Sequence, residues 1–168
     1  MASGQVHDRI TLVVSAPIGI AAAVLWGADA GLIAAAACII GGLWLSPDLD
    51  THSNALRRWG PFHVLWWPYR HMIPHRSLWS HGPLIGTALR LLWLLSWWVV
   101  VSLLIGWPTN AGLPTLVSWL NQQPQQAIAL GIGLEASAWL HLILDGDPWP
   151  VEWSPRRLGQ RRRGRRWR

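Results

Sequence analysis

Four pairs of metal-ligating side chains punctuate the chain: His7 with Asp8, Asp48 with Asp50, His75 with His81, and His141 with Asp145. Imidazole and carboxylate together suit zinc, manganese or iron better than calcium or magnesium, and the set is too large for one tetrahedral ion, which points to a site for one or two divalent ions. A cation also relieves the repulsion of carboxylates crowded at one low-dielectric surface. His141 and Asp145 lie four apart, one turn along a helix face. Asp48 and Asp50 follow Pro47, and in an extended or turn segment residues two apart point the same way. His75 and His81 lie six apart, about 240° around a continuous helix. They converge only if "HRSLWSHGP" is a loop or a broken helix, which Pro74 and Gly82-Pro83 favour. Arg76 in that loop is placed to hold an anion, and Asp8 or Asp50 is a spare carboxylate able to accept a proton. The bland alternative is that these residues cap helices or pair with arginines.

The elements that must position them are apolar. Of 168 residues, 51% are hydrophobic, 13% are charged and 15 are tryptophan. Four runs approach the length of about 20 residues that a membrane helix needs: Ile10 to Trp26, Ala30 to Leu45, Pro83 to Trp107, and about Gln125 to Leu144. The fold expected is an all-α integral membrane bundle of about four helices, with residues 1–150 the metal-binding unit and 151–168 a basic tail. The first two runs are short, so buried helices of a soluble bundle are the alternative. "ADA" at 28–30 also allows a cleaved leader, which Asp8 beside Arg9 and the internal Pro17 weaken.

Charge placement gives an orientation. With the N-terminus inside, residues 46–82, carrying Arg57, Arg58, Arg70 and Arg76, and the arginine-rich tail share the cytoplasmic side, and the connections at 27–29 and 108–124 hold no lysine or arginine. This is the positive-inside pattern. All four ligand pairs then fall at that same face. The tail reads as a topology signal and an anchor on anionic lipid rather than a nucleic-acid segment, because few aromatics interleave it. The loop "LRRWGPFHVLWWPYRHMIPHRS" mixes arginine with Trp59, Phe62, Trp66, Trp67 and Tyr69, which suits a headgroup layer; His52, His63 and His71 read as interfacial polar residues.

Inside the spans, Arg90 is expected to snorkel or pair with Glu135, and Glu135 alternatively carries protons. Gly133 and Ser137 offer a small-x-x-x-small packing face. Trp93, Trp97 and Trp98 read as packing or lipid contact, and the single Cys38 as a small buried side chain.

In this order, "GQVHDRIT", "SPDLD", "RRWGPF", "PYRHMIPHRSLWSHGP" and "HLILD" resemble metal-binding membrane proteins of unknown function common in cyanobacteria, which are similar in turn to YdjM-type membrane-bound metal-dependent hydrolases. The resemblance covers residues 3 to 147 and implies His7, Asp48, Asp50, His75, His81, His141 and Asp145 as metal-site positions. It implies a hydrolase; Arg76, with Arg70 behind it, would bind a phosphate oxygen by bidentate hydrogen bonds, so the substrate expected is a phosphoester such as a phospholipid. A non-catalytic protein whose metal staples helix ends, with loop or tail recruiting a partner, is the alternative; a di-iron oxygenase fits less well, because only seven histidines are present.

Overall fold

The computed structural model describes residues 3–108 and 112–146; the arginine-rich tail lies outside the described residues. Within them every regular element is helical. Helix α1 (Gly4–Trp26) turns back into α2 (Ala28–Leu43) through Gly27 alone, whose φ of 92° is open to glycine and strained for any other residue. A 3-10 turn (Pro47–Asp50) and three short helices follow: α3 (Asn54–Arg58), α4 (Trp67–Met72) and α5 (Leu78–His81). A second 3-10 segment, Gly60–Trp66, joins α3 to α4. Then come α6 (Ile85–Leu104), α7 (Gly112–Gln122) and α8 (Pro124–Leu144). Four helices are long and apolar enough to cross a membrane.

Helix α1 begins six residues earlier than the apolar run alone indicates, because the polar turn "GQVHDR" continues the helix; His7 and Asp8 therefore sit on it rather than before it. The connection between α6 and α8, featureless by charge, contains α7, whose apolar residues Leu116, Val117 and Leu120 are exposed.

Helices α1, α2 and α8 form the tight part of the bundle. A side chain added at Gly133 would run into Ala37 Cβ at 2.7 Å, so glycine there lets α8 press against the backbone of α2. Ser137 meets Gly41 one turn further on, as the small-residue spacing expects. Helix α6 is the least buried of the four and is held from one end. Trp93 and Trp97 donate their indole N–H groups to the carbonyl of Leu65 at 3.0 and 3.1 Å, tying α6 to the connecting segment. Below that segment Trp66, Tyr69, Leu49 and Leu56 form a closed apolar cluster with Leu134 of α8. The bundle is thereby plugged at one end, and that end carries the ligands.

Candidate metal centre

The seven residues expected as ligands come together. His7 from α1, Asp48 and Asp50 from the 3-10 turn, His75 and His81 flanking α5, and His141 and Asp145 closing α8 meet at one end of the bundle. They form two groups, Asp48–Asp50–His75–His81 and His7–His141–Asp145, each with its donor atoms within 4.8 Å of one another.

Local sequence explains each placement. Ser46 accepts the Asp48 amide at 3.4 Å and starts the 3-10 turn, with Pro47 at its first position. Of the extended or turn segment read from "SPDLD", the turn forms, but the expectation that both carboxylates point the same way is corrected. At three residues per turn, positions two apart diverge instead of pointing together. Asp50 turns inward, with a side chain 0% exposed, toward His75 and His81, while Asp48 stays part-exposed beside His81 and His141. Divergence leaves Asp48, a member of the first group, facing His141 of the second at 3.5 Å.

His75 and His81 converge by a broken path, their ring centroids 5.2 Å apart. The break runs through Arg76, at φ 60°, and a new helix starts at Ser77 with a capping box to Ser80. Ser80 is wholly buried. Its hydroxyl donates to the Pro74 carbonyl at 3.1 Å, so its oxygen accepts from His81 Nδ1 at 2.9 Å and leaves His81 Nε2 bare. Arg90 snorkels back to donate to the Ser80 carbonyl at 2.7 Å and to Thr87 at 3.1 Å. The expected Arg90–Glu135 pair is replaced by this arrangement, and Glu135 accepts the Leu84 amide at 3.0 Å where the chain enters α6 at φ 61°.

The donor atoms are spaced as ligands of ions are. His141 Nε2 and His81 Nε2 lie 3.5 and 3.6 Å from Asp48 Oδ1, and His141 Nε2 lies 3.7 Å from Asp145 Oδ2. These separations exceed a hydrogen bond but match a tetrahedron's edge, about 3.3 Å for metal–ligand bonds of about 2.0 Å. Among the buried side-chain atoms without a hydrogen-bond partner are four of the centre: His7 Nδ1, Asp50 Oδ2, His81 Nε2 and His141 Nε2. Each such atom costs roughly 1–3 kcal/mol unless something meets it. A divalent cation at each group would meet the orphaned atoms of that group, so the residues fit a metal. His7 donates to Asp145 at 3.1 Å and stacks on His141, with centroids 4.3 Å apart. His75 donates to Asp50 at 2.9 Å, a bond that raises its pKa above the ordinary histidine value.

Of the residues expected to act beside the metal, Asp50 lies within the centre and Arg76 at its edge, 3.5 Å from Asp145. Asp8 is engaged elsewhere, by Arg58 and, at 3.5 Å, by Asn54. Sequence reasoning passed over Ser80, Arg58 and the polar run Thr51–Asn54. The S-x-x-S spacing of Ser77 and Ser80 was the available signal for the first.

A sequence profile described as "Uncharacterized metal-binding protein (DUF2227)" matches residues 2–154. An "Uncharacterized protein" of Aquifex aeolicus (strain VF5) is 39% identical over 57 residues, covering 33% of this chain and 40% of that protein. No solved structure matches the chain.

Proposed function

The chain belongs to that family of metal-binding proteins, and from this premise we propose that it is an integral membrane hydrolase of phosphoesters, phospholipids first among them, with its centre at the cytoplasmic face. One observation carries the reading: candidate ligand side chains from four separate stretches meet at one end of four membrane-length apolar helices, in two groups that adjoin where Asp48 lies 3.5 Å from His141. The helices support insertion, since Val24, Leu32, Leu92 and Leu104 expose 60 to 81% of their surface along them.

Zinc, before manganese or iron, suits four imidazoles and three carboxylates; what such an ion supplies when bound is a water with pKa near neutrality and polarisation of a phosphoryl oxygen. The protein's own residues do the rest. Asp50, buried against His75 Nδ1, fixes that ring, and the Asp50–His75 pair, of which only the half-exposed His75 reaches solvent, receives a proton at the edge of the centre and releases it through that ring. Of the two spare carboxylates Asp50 takes this role, because Asp8 is held by Arg58. Arg76, with Arg70 behind it, sets positive charge beside Asp145, where a phosphoryl group approaches. The exposed Phe62, Trp67 and Met72 and the arginine tail rest on anionic lipid, whereas Trp66 and Tyr69, expected at the headgroup layer, are buried in the core instead.

A second reading, a metal that only staples the helix ends while the loop or tail recruits a partner, draws on the deep burial of Asp50 and His81. Metal content by mass spectrometry on detergent-purified protein, beside a His75→Ala, His81→Ala variant, tests the centre. Up to two ions per chain, reduced in the variant, are expected, and near-zero metal in both sinks either reading. Phosphoester turnover by the metal-loaded protein then separates catalysis from stapling.

A further inference from the structure

A cleft opens beside the centre. With a volume of about 240 Å³, it enters the end of the bundle between the start of α1 and residues 46–57, and its lining takes in His7, Asp48 and His141 but none of Asp50, His75 and His81. Behind the centre Asp50 and His81 have side chains 0% and 3% exposed. The two groups are therefore unequal: a ligand reaches the centre from the His7–Asp48–His141 side.

The rest of the lining selects what enters. Ser46 and Ser53 each accept a backbone amide, from Asp48 and Leu56, which leaves their own hydroxyl hydrogens to donate. Asp8 also borders the cleft, but Arg58 answers its charge. Arg57 is exposed at the rim and donates to the neutral side-chain carbonyl of Asn54, a bond that leaves its positive charge uncompensated. Donors and one cation facing metal ligands make a seat for an oxyanion. Pockets for drug-sized ligands run from about 300 to 1,000 Å³, so this cleft takes a headgroup-sized moiety and leaves no room for acyl chains.

We infer that the cleft between α1 and residues 46–57 is the substrate subsite, seating one phosphorylated polar group against the His7–Asp48–His141 side of the centre with Arg57 binding its phosphoryl oxygens. The inference rests on the phosphoester reading above and adds to it the entry side, the size limit and a contact that Arg76, outside the cleft, does not provide.

The test uses full-length protein in detergent loaded with manganese, and the phosphorus resonance of added inorganic phosphate. Phosphate seated beside the metal shows saturable line broadening, and Arg57→Ala weakens the apparent affinity about tenfold with the metal content unchanged. Metal binding without broadening overturns the subsite while leaving the centre standing, and so does broadening that Arg57→Ala does not alter. Failure to bind metal overturns the centre itself and the subsite with it. Competition then identifies the ester: displacement by glycerol phosphate marks a soluble substrate, displacement only by phosphatidate in mixed micelles marks a lipid headgroup, and displacement by neither overturns the proposal.

Discussion

Asp48 Oδ1 lies 3.5 Å from His141 Nε2, and through that one contact the ligand group built on the 75–81 segment touches the group built on α1 and α8. The same oxygen lies 3.6 Å from His81 Nε2, so a single carboxylate oxygen faces one histidine of each group. Asp48→Ala should accordingly reduce metal occupancy at both groups, whereas Asp145→Ala should spare the Asp50–His75–His81 group. Metal-to-protein ratios of the two variants beside wild type check this. Equal losses in the two would show that Asp48 is not shared.

Ser80 orients the neighbouring candidate ligand His81. Its hydroxyl holds His81 Nδ1 and its carbonyl is held by Arg90, so Ser80→Ala should free the ring to rotate and to change tautomer. Loss of such a supporting contact typically weakens metal binding 10- to 100-fold. Competitive zinc titration against a chromogenic chelator reads the change. A Ser80→Ala protein with unaltered zinc affinity would reduce Ser80 to a helix cap.

Tyr69 is the only tyrosine in the chain, which makes its ionisation directly readable. Burial disfavours the phenolate more than the nearby Arg90 charge favours it, and the pKa is pushed from the ordinary tyrosine value of 10.0 up to about 12. A folded pKa above the unfolded one means the stabilisation is fully present below about pH 10 and is lost as pH rises toward 12. That loss is about 3 kcal/mol at most. Absorbance titration of the tyrosinate band should place the midpoint near the higher value in folded protein and near pH 10 in denaturant, since tryptophan does not ionise in this range. A folded midpoint near 10 would show that solvent reaches the ring.

The ligand set was legible because His and Asp are conspicuous in so apolar a chain and because alternating spans return every second end to one face. Geometry between the ligands was not legible. Whether Asp48 and Asp50 point together or apart depends on a 3-10 turn that a serine cap and a proline set in place, and periodicity does not distinguish that turn from an extended segment. Arg90 and Glu135 illustrate a second limit. Opposite charges on neighbouring spans invite pairing, yet each finds an unsatisfied backbone group nearer at hand, the Ser80 carbonyl and the Leu84 amide. Those groups exist only because the chain breaks at Gly82-Pro83, a tertiary consequence invisible to charge counting. The cleft was equally hidden, being built from serine, threonine and asparagine that carry no motif.

Packing of α8 on α2 depends on Gly133 and not on its neighbour Gly131. A Cβ at 133 meets Ala37 Cβ at 2.7 Å and the Cys38 amide nitrogen at 3.0 Å, whereas one at 131 meets nothing within 4 Å. Gly133→Leu should therefore cost about 1–3 kcal/mol by forcing the helices apart, and Gly131→Leu should cost far less. Thermal unfolding in detergent compares them. Since α8 carries His141 and Asp145, the first variant should lose zinc affinity as well, and equal behaviour of the two would mean the α2–α8 contact does not form.

Orientation follows from where arginine is absent. Residues 46–82 hold four arginines and the 108–124 connection holds none, so the end bearing the centre should face the cytoplasm. Cys38, the chain's one thiol, is 0% exposed and gives a silent background. Two exposed positions at opposite ends of the bundle, His52 beside the centre and Asn121 on α7, serve as single-cysteine probes in a Cys38→Ala protein. A membrane-impermeant maleimide added to intact spheroplasts should label Asn121→Cys and leave His52→Cys unlabelled until the membrane is permeabilised. Reversed labelling would turn the centre outward and make an extracytoplasmic phosphoester its substrate. Labelling of both without permeabilisation would mean the four helices do not span, because a chain that crosses four times cannot present both ends to one compartment.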